Sequence, residues 1–149
     1  MAVKAKTAVD YIEENRELLT ELADAIWEYA ELALHEERSS RCLANALEEE
    51  GFDVDWGVAD MPTAFIATWG SGDPVVGFLG EYDALAGLSQ KPIPRQEELE
   101  PGGTGHGCGH NLLGTGALGA AIGLKEELKA RNLSGTIKYF GCPAEENLS

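Results

Sequence analysis

Apolar positions set the first elements of the chain. Leu18, Leu22, Ile26, Tyr29 and Ala33 recur every three or four residues with acids between them, so the spacing predicts one long amphipathic helix from about Thr7 to Ala33. A second helix is expected from about Glu37 to Glu50, burying Leu43, Ala46 and Leu47, with Gly51 and Phe52 as a glycine stop and hydrophobic latch. Two short apolar runs follow, Thr63 to Trp69 and Val75 to Leu79, split by Gly70, Ser71, Gly72, Asp73 and Pro74. They read as a hairpin, the second run being apolar on consecutive positions as in a strand buried on both faces.

Residues Ala86 to Gly105 show no period and contain Pro92, Pro94 and Pro101, which makes them a long loop of the kind that is commonly functional or disordered. Asn111 is placed to cap a helix from Leu112 to about Arg131, and Asn132 to Gly135 turn the chain into a strand, Thr136 to Gly141. Helices alternating with strands in this order predict an α/β fold, a layered sandwich around a mixed β-sheet.

The formal net charge of -15 repels a phosphate backbone, so nucleic acid is excluded as a partner. The acidic runs Glu48 to Glu50 and Glu97 to Glu98 need no more than a solvated face. Lys4 and Lys6 are followed by no apolar core of a secretory signal, and the apolar stretch Leu112 to Leu124 is too short and too glycine-rich for a membrane span. A cytoplasmic address follows. The three cysteines, Cys42, Cys108 and Cys142, are then expected as free thiols.

Ligand-type residues gather in three places. Glu81 and Asp83 follow a strand, and Glu145 and Glu146 follow another. His106, Cys108 and His110 alternate with Gly105, Gly107 and Gly109, so an extended backbone aims the side chains one way and the glycines permit a tight wrap. Thiolate, imidazole and carboxylate together suit zinc, or manganese where carboxylates and imidazoles dominate. His106 divides evenly between ligand and scaffold, Cys42 and Cys142 read as packed, and the glutamate pair alone would be an ordinary exposed pair. Gly114, Gly116 and Gly119 match a dinucleotide-loop spacing but lie inside the helix, which removes that reading. No phosphate-binding loop and no serine-nucleophile elbow is present in the sequence.

The segments GEYDALAG (Gly80 to Gly87), GHGCGHNLLG (Gly105 to Gly114) and GCPAEE (Gly141 to Glu146) resemble the aminoacylase-like metallopeptidase family, subfamily D. The resemblance implies metal ligation by Cys108, His110 and Glu146, a catalytic base at Glu145, and an orienting role for Asp83. It implies two zinc or manganese ions in the complete enzyme and hydrolysis of the amide bond of N-acyl or N-aroyl amino acids. Asn111 and Ala86 stand where the subfamily more commonly has Asp and Pro, which favours its aminobenzoyl-glutamate branch. The family's fold would make this chain the amino-terminal half of a zinc-peptidase-like catalytic domain. Members are longer, with more histidine ligands and a lid domain that makes a dimer. The chain is therefore expected to be a fragment, inactive alone, from an enzyme that forms a homodimer or pairs with a related subunit. The alternatives are a non-catalytic metal-binding remnant and a structural α/β module.

Overall fold

The computed structural model describes residues 7 to 147, so the stretch with Lys4 and Lys6 and the final Ser149 lie outside the described residues. In place of one long helix the chain forms two, α1 (Ala8–Glu14) and α2 (Arg16–Tyr29). Thr7 and Asp10 build a reciprocal cap at the first, each side chain accepting the other's backbone N–H. Asn15 then leaves helical geometry at φ -98 and ψ 17, and its side chain donates to the Tyr11 carbonyl at 2.9 Å. That local bond competes with the helix, an effect that apolar periodicity cannot register. The second helix stops at Ala30, in left-handed conformation, short of Ala33.

Helix α3 (Glu37–Glu49) begins and ends almost where its sequence indicates. The Glu31 carboxylate takes the free backbone N–H groups of Arg38 and Ser39 at its start. At its end Gly51 sits at φ +83, Gly51 N–H donates to Glu48, and Phe52 N–H reaches back to Leu47 at 3.0 Å. Phe52 is buried, completing a glycine-terminated helix end with its hydrophobic latch.

The strands are β1 (Asp53–Trp56), β2 (Phe65–Ser71), β3 (Val75–Glu81) and β4 (Gly135–Cys142), and the last two flank α4 (His110–Arg131). Strand β1 and the short 3-10 turn Val58–Asp60 have no apolar pattern to announce them. Sheet order is β1-β2-β4-β3, with β2 antiparallel and β3 parallel to β4. The hairpin expected of β2 and β3 does not form, because β4 inserts between them and pairs with both. A consequence is that β3 is an edge strand among the described residues, with Val75 and Leu79 exposed rather than buried on both faces.

The core lies between the helices and one face of the mixed sheet. Ile26, Leu43, Leu47, Leu118 and Ile122 from the helices meet Phe65, Ala67, Ile137 and Tyr139 from the strands. Full burial of each aliphatic side chain contributes roughly 1.5–3 kcal/mol relative to exposure. No helix among the described residues is long and apolar enough to cross a membrane. Cys42, Cys108 and Cys142 are free, as expected.

Candidate metal centre

Parallel pairing of β3 with β4 decides where the chemistry sits, because it brings both carboxyl ends to one sheet edge with Glu81 beside Cys142. Just beyond those ends, β3 delivers Asp83 and β4 delivers Glu145 and Glu146. The glycines around Cys108 lead into the same edge: Gly109, at φ +82, turns the chain so that α4 starts on His110. Asn111 is inside the helix rather than its cap, and its side chain donates to the Ala23 carbonyl at 3.2 Å. The amino end of α4 thus faces a group of carboxylates, the end where negative charge is favoured.

His110 is the hub. Its Nδ1 lies 2.8 Å from Asp83 Oδ1 and 3.1 Å from the Asp83 carbonyl, both buried. Its Nε2 points at Glu81 at 3.2 Å, Glu145 at 3.6 Å and Glu146 at 3.9 Å. Asp83 also accepts the Glu146 backbone N–H with its second oxygen at 2.8 Å. The donor atoms of Cys108, His110 and Glu146 lie within 4.8 Å of one another, and so do those of Glu81, His110 and Glu145. His106 belongs to neither group: its Nε2 is 3.0 Å from the Ile26 carbonyl, which ties the loop to α2.

Glu81 is the residue that sequence reasoning left without a role. Its place two positions before Asp83, at a strand's carboxyl end, was the available signal. Burial, and then the charges of Glu145, Asp83 and Glu146 working against the attraction of His110, push its carboxyl above the ordinary glutamate value. The Cys108 thiol is likewise held above its usual value, first by its hydrogen bond to Glu146 and then by that carboxylate's charge. Among the described residues the His110 imidazole is the one nitrogen side chain within ion-pair distance of these carboxylates.

This donor set fits a divalent transition-metal ion. Glu146 Oε1 is buried and finds no hydrogen-bond partner among the described residues, which costs free energy unless a cation or water supplies one. With its Nδ1 proton donated to Asp83, His110 would have the lone pair of Nε2 free to ligate, the usual arrangement of a carboxylate behind a metal-binding histidine. An exposed thiol completes the set. The long loop after Ala86 is held by paired bonds between Leu85 and Gly105 and by Ser89 N–H to Gly103, and it lines a cavity of about 590 Å³ with Trp27, Tyr29 and His106.

No protein-family profile matches the chain. It is 49% identical over 138 residues to a subunit of the p-aminobenzoyl-glutamate hydrolase of Escherichia coli, covering 92% of this chain and 29% of that protein. Xaa-Arg dipeptidase of Mus musculus is 34% identical over 154 residues, covering 95% of this chain and 32% of that protein. Among solved structures, a dinuclear metal-binding peptidase of the M20 family from Bacillus subtilis superposes with a TM-score of 0.68 at 27% identity, over 90% of this chain and 37% of its own. The chain thus spans about a third of the length of the relatives it matches. The family resemblance carried by the three motifs is borne out, as is the α/β fold with its mixed sheet.

Proposed function

Starting from homology to the M20-family hydrolases, we propose that this chain forms part of the metal centre of an enzyme that hydrolyses the amide bond of N-acyl or N-aroyl amino acids, p-aminobenzoyl-glutamate foremost. The observation that carries this reading is the convergence of Cys108, His110 and Glu146 within 4.8 Å, with Glu145 beside them. The name of the Escherichia coli relative and its 49% identity support the substrate.

In this reading Cys108, His110 and Glu146 would hold a zinc or manganese ion. When bound, the ion supplies the Lewis acid that makes a water nucleophilic near neutral pH and polarises the amide carbonyl. Asp83 keeps the proton of His110 on Nδ1. Glu145, about half exposed and 3.6 Å from His110 Nε2, takes the proton of the attacking water and passes it to the departing amine. Acid and amine are the products, so mass and charge balance with one water consumed. A dinuclear centre like that of the Bacillus subtilis peptidase would need ligands beyond these three.

The Escherichia coli relative is named as one subunit of its hydrolase, which favours assembly with a further chain, as a homodimer or heterodimer, and the free cysteines favour a cytoplasmic enzyme. The test is release of p-aminobenzoate from p-aminobenzoyl-glutamate with zinc or manganese, by this chain and by a longer protein that carries it. The longer protein should turn over and lose about 100-fold or more in rate on Glu145→Gln. The chain alone should bind metal without useful turnover. Hydrolysis that survives Glu145→Gln at full rate would remove the assignment of the base.

A further inference from the structure

Glu36 takes no part in the chemistry above and was no motif residue, yet it is a carboxylate with no exposed surface. Such a side chain is tolerated only where donors replace its water. Three do. Its Oε1 accepts the backbone N–H of Leu34 and that of Ala144, each at 2.9 Å, and its Oε2 accepts the Thr63 hydroxyl at 2.9 Å. The first bond is local, the second reaches across 108 positions, and the third crosses to the residues that lead into β2.

Ala144 is the residue just before the glutamate pair, and its φ is +61. A residue with a Cβ rarely adopts that left-handed conformation unless its surroundings hold it there. Two residues later the Glu146 N–H is taken by Asp83 at 2.8 Å. The turn that carries Glu145 and Glu146 is therefore pinned at both ends by buried carboxylates from different parts of the chain, Glu36 before the pair and Asp83 behind it.

We propose that Glu36 is a positioning residue of the metal centre: by gripping the Ala144 N–H it sets the left-handed turn that aims Glu145 and Glu146 at His110. It touches neither substrate nor ion, and the proposal rests on the roles given above to the glutamate pair. What the grip needs is an oxygen for two N–H groups and an atom that pairs with a hydroxyl. Glutamine supplies both, since its amide oxygen accepts and its NH₂ donates to Thr63 Oγ1. Methionine has the length and neither function. Aspartate keeps the charge and falls short by one methylene.

The experiment compares the 149-residue chain with its Glu36→Gln, Glu36→Met and Glu36→Asp variants in two readouts. One is site-resolved amide hydrogen exchange in metal-free protein. The other is cobalt(II) affinity, followed by ligand-field and thiolate charge-transfer absorption. Glu36→Met and Glu36→Asp should speed exchange at Ala144 and Glu146 by about tenfold or more, with α4 and β2 still protected, and weaken cobalt by about tenfold, the scale at which groups behind a ligand act. Glu36→Gln should restore both to within about threefold. Where Glu36→Met does not fold, Glu36→Asp gives the same reading. Unchanged exchange at Ala144, exchange accelerated equally throughout the chain, or a glutamine variant as damaged as methionine overturns the proposal. If even the parent chain fails to bind cobalt, the metal reading falls, and the exchange data still decide whether Glu36 holds the turn.

Discussion

Asp83 Oδ1 stands 2.8 Å from His110 Nδ1, with both side chains almost wholly buried. That pairing turns Nε2 towards Glu81, Glu145 and Glu146, and a proton donated from Nδ1 to Asp83 would leave the Nε2 lone pair free for a metal ion. Asparagine at this position turns either an NH₂ or a weaker oxygen towards Nδ1. Asp83→Asn should therefore weaken zinc binding by about 10–100-fold while the chain stays folded. Chelator competition gives the affinity, and an unchanged dissociation constant would show that the carboxylate does not orient the ligand.

Glu81 bears on pH dependence. Its folded-state pKa lies above the ordinary value, with burial the first cause and the neighbouring carboxylates added. Stability linked to it is full below the ordinary glutamate pKa and is lost as pH rises through the raised folded value. At neutral pH the ionised form therefore strains the metal-free site. Glu81→Gln should raise the melting temperature of metal-free protein at pH 7, have little effect at pH 4, and lose its advantage when zinc is added. Melts in EDTA at the two pH values decide it; a stabilisation that is equal at both would point to packing instead.

What was legible in the sequence follows from range. Gly51 with Phe52 is a local signal that gave the right helix end, while the alternation of glycines around Cys108 brought Cys108 and His110 together and left His106 on the Ile26 carbonyl. The β2–β3 hairpin failed because local pattern cannot see that Ile137 and Tyr139, far along the chain, pair better with both strands than the strands do with each other. That same insertion is what carries Glu145 and Glu146 to Glu81 and Asp83, so the motifs were readable while the topology that joins them was not. Glu36 was invisible for a related reason: an acid before a helix looks solvated until Ala144 is folded over it.

At the far side of the helical layer the Tyr11 hydroxyl donates to the Glu50 carboxylate at 2.9 Å, and Lys125 pairs with the same carboxylate. Burial, then the hydrogen bond and charge of Glu50, push the phenol up to about 12. The linked stability is present below the ordinary tyrosine value and disappears as pH rises through the folded one. Denaturant midpoints measured from pH 8 to 12 should fall more steeply for the parent than for Tyr11→Phe, which has no proton to lose. Parallel curves would mean that this phenol does not contribute to alkaline unfolding.

Two glycines in one helix should respond oppositely to the same methyl group. Alanine in place of an interior helical glycine is worth up to about 1 kcal/mol on propensity alone. At Gly116 the added Cβ meets nothing within 4 Å, so Gly116→Ala should stabilise the chain by roughly 0.5–1 kcal/mol. At Gly114 it would lie 2.5 Å from the Glu81 carbonyl oxygen and 3.2 Å from Leu43 Cδ1, where α4 packs against the end of β3. Backbone cannot rotate aside as a flexible side chain can, and Tyr139 already donates to the Gly114 carbonyl from the opposite strand. Overpacking of this kind costs about 1–3 kcal/mol, more than propensity returns. Gly114→Ala should therefore lower the urea midpoint. It should also weaken zinc binding, because β3 must shift where it delivers Glu81 and Asp83, whereas Gly116→Ala leaves zinc affinity unchanged. If both variants stabilise the chain and bind zinc equally well, the close contact between α4 and β3 does not position the metal centre.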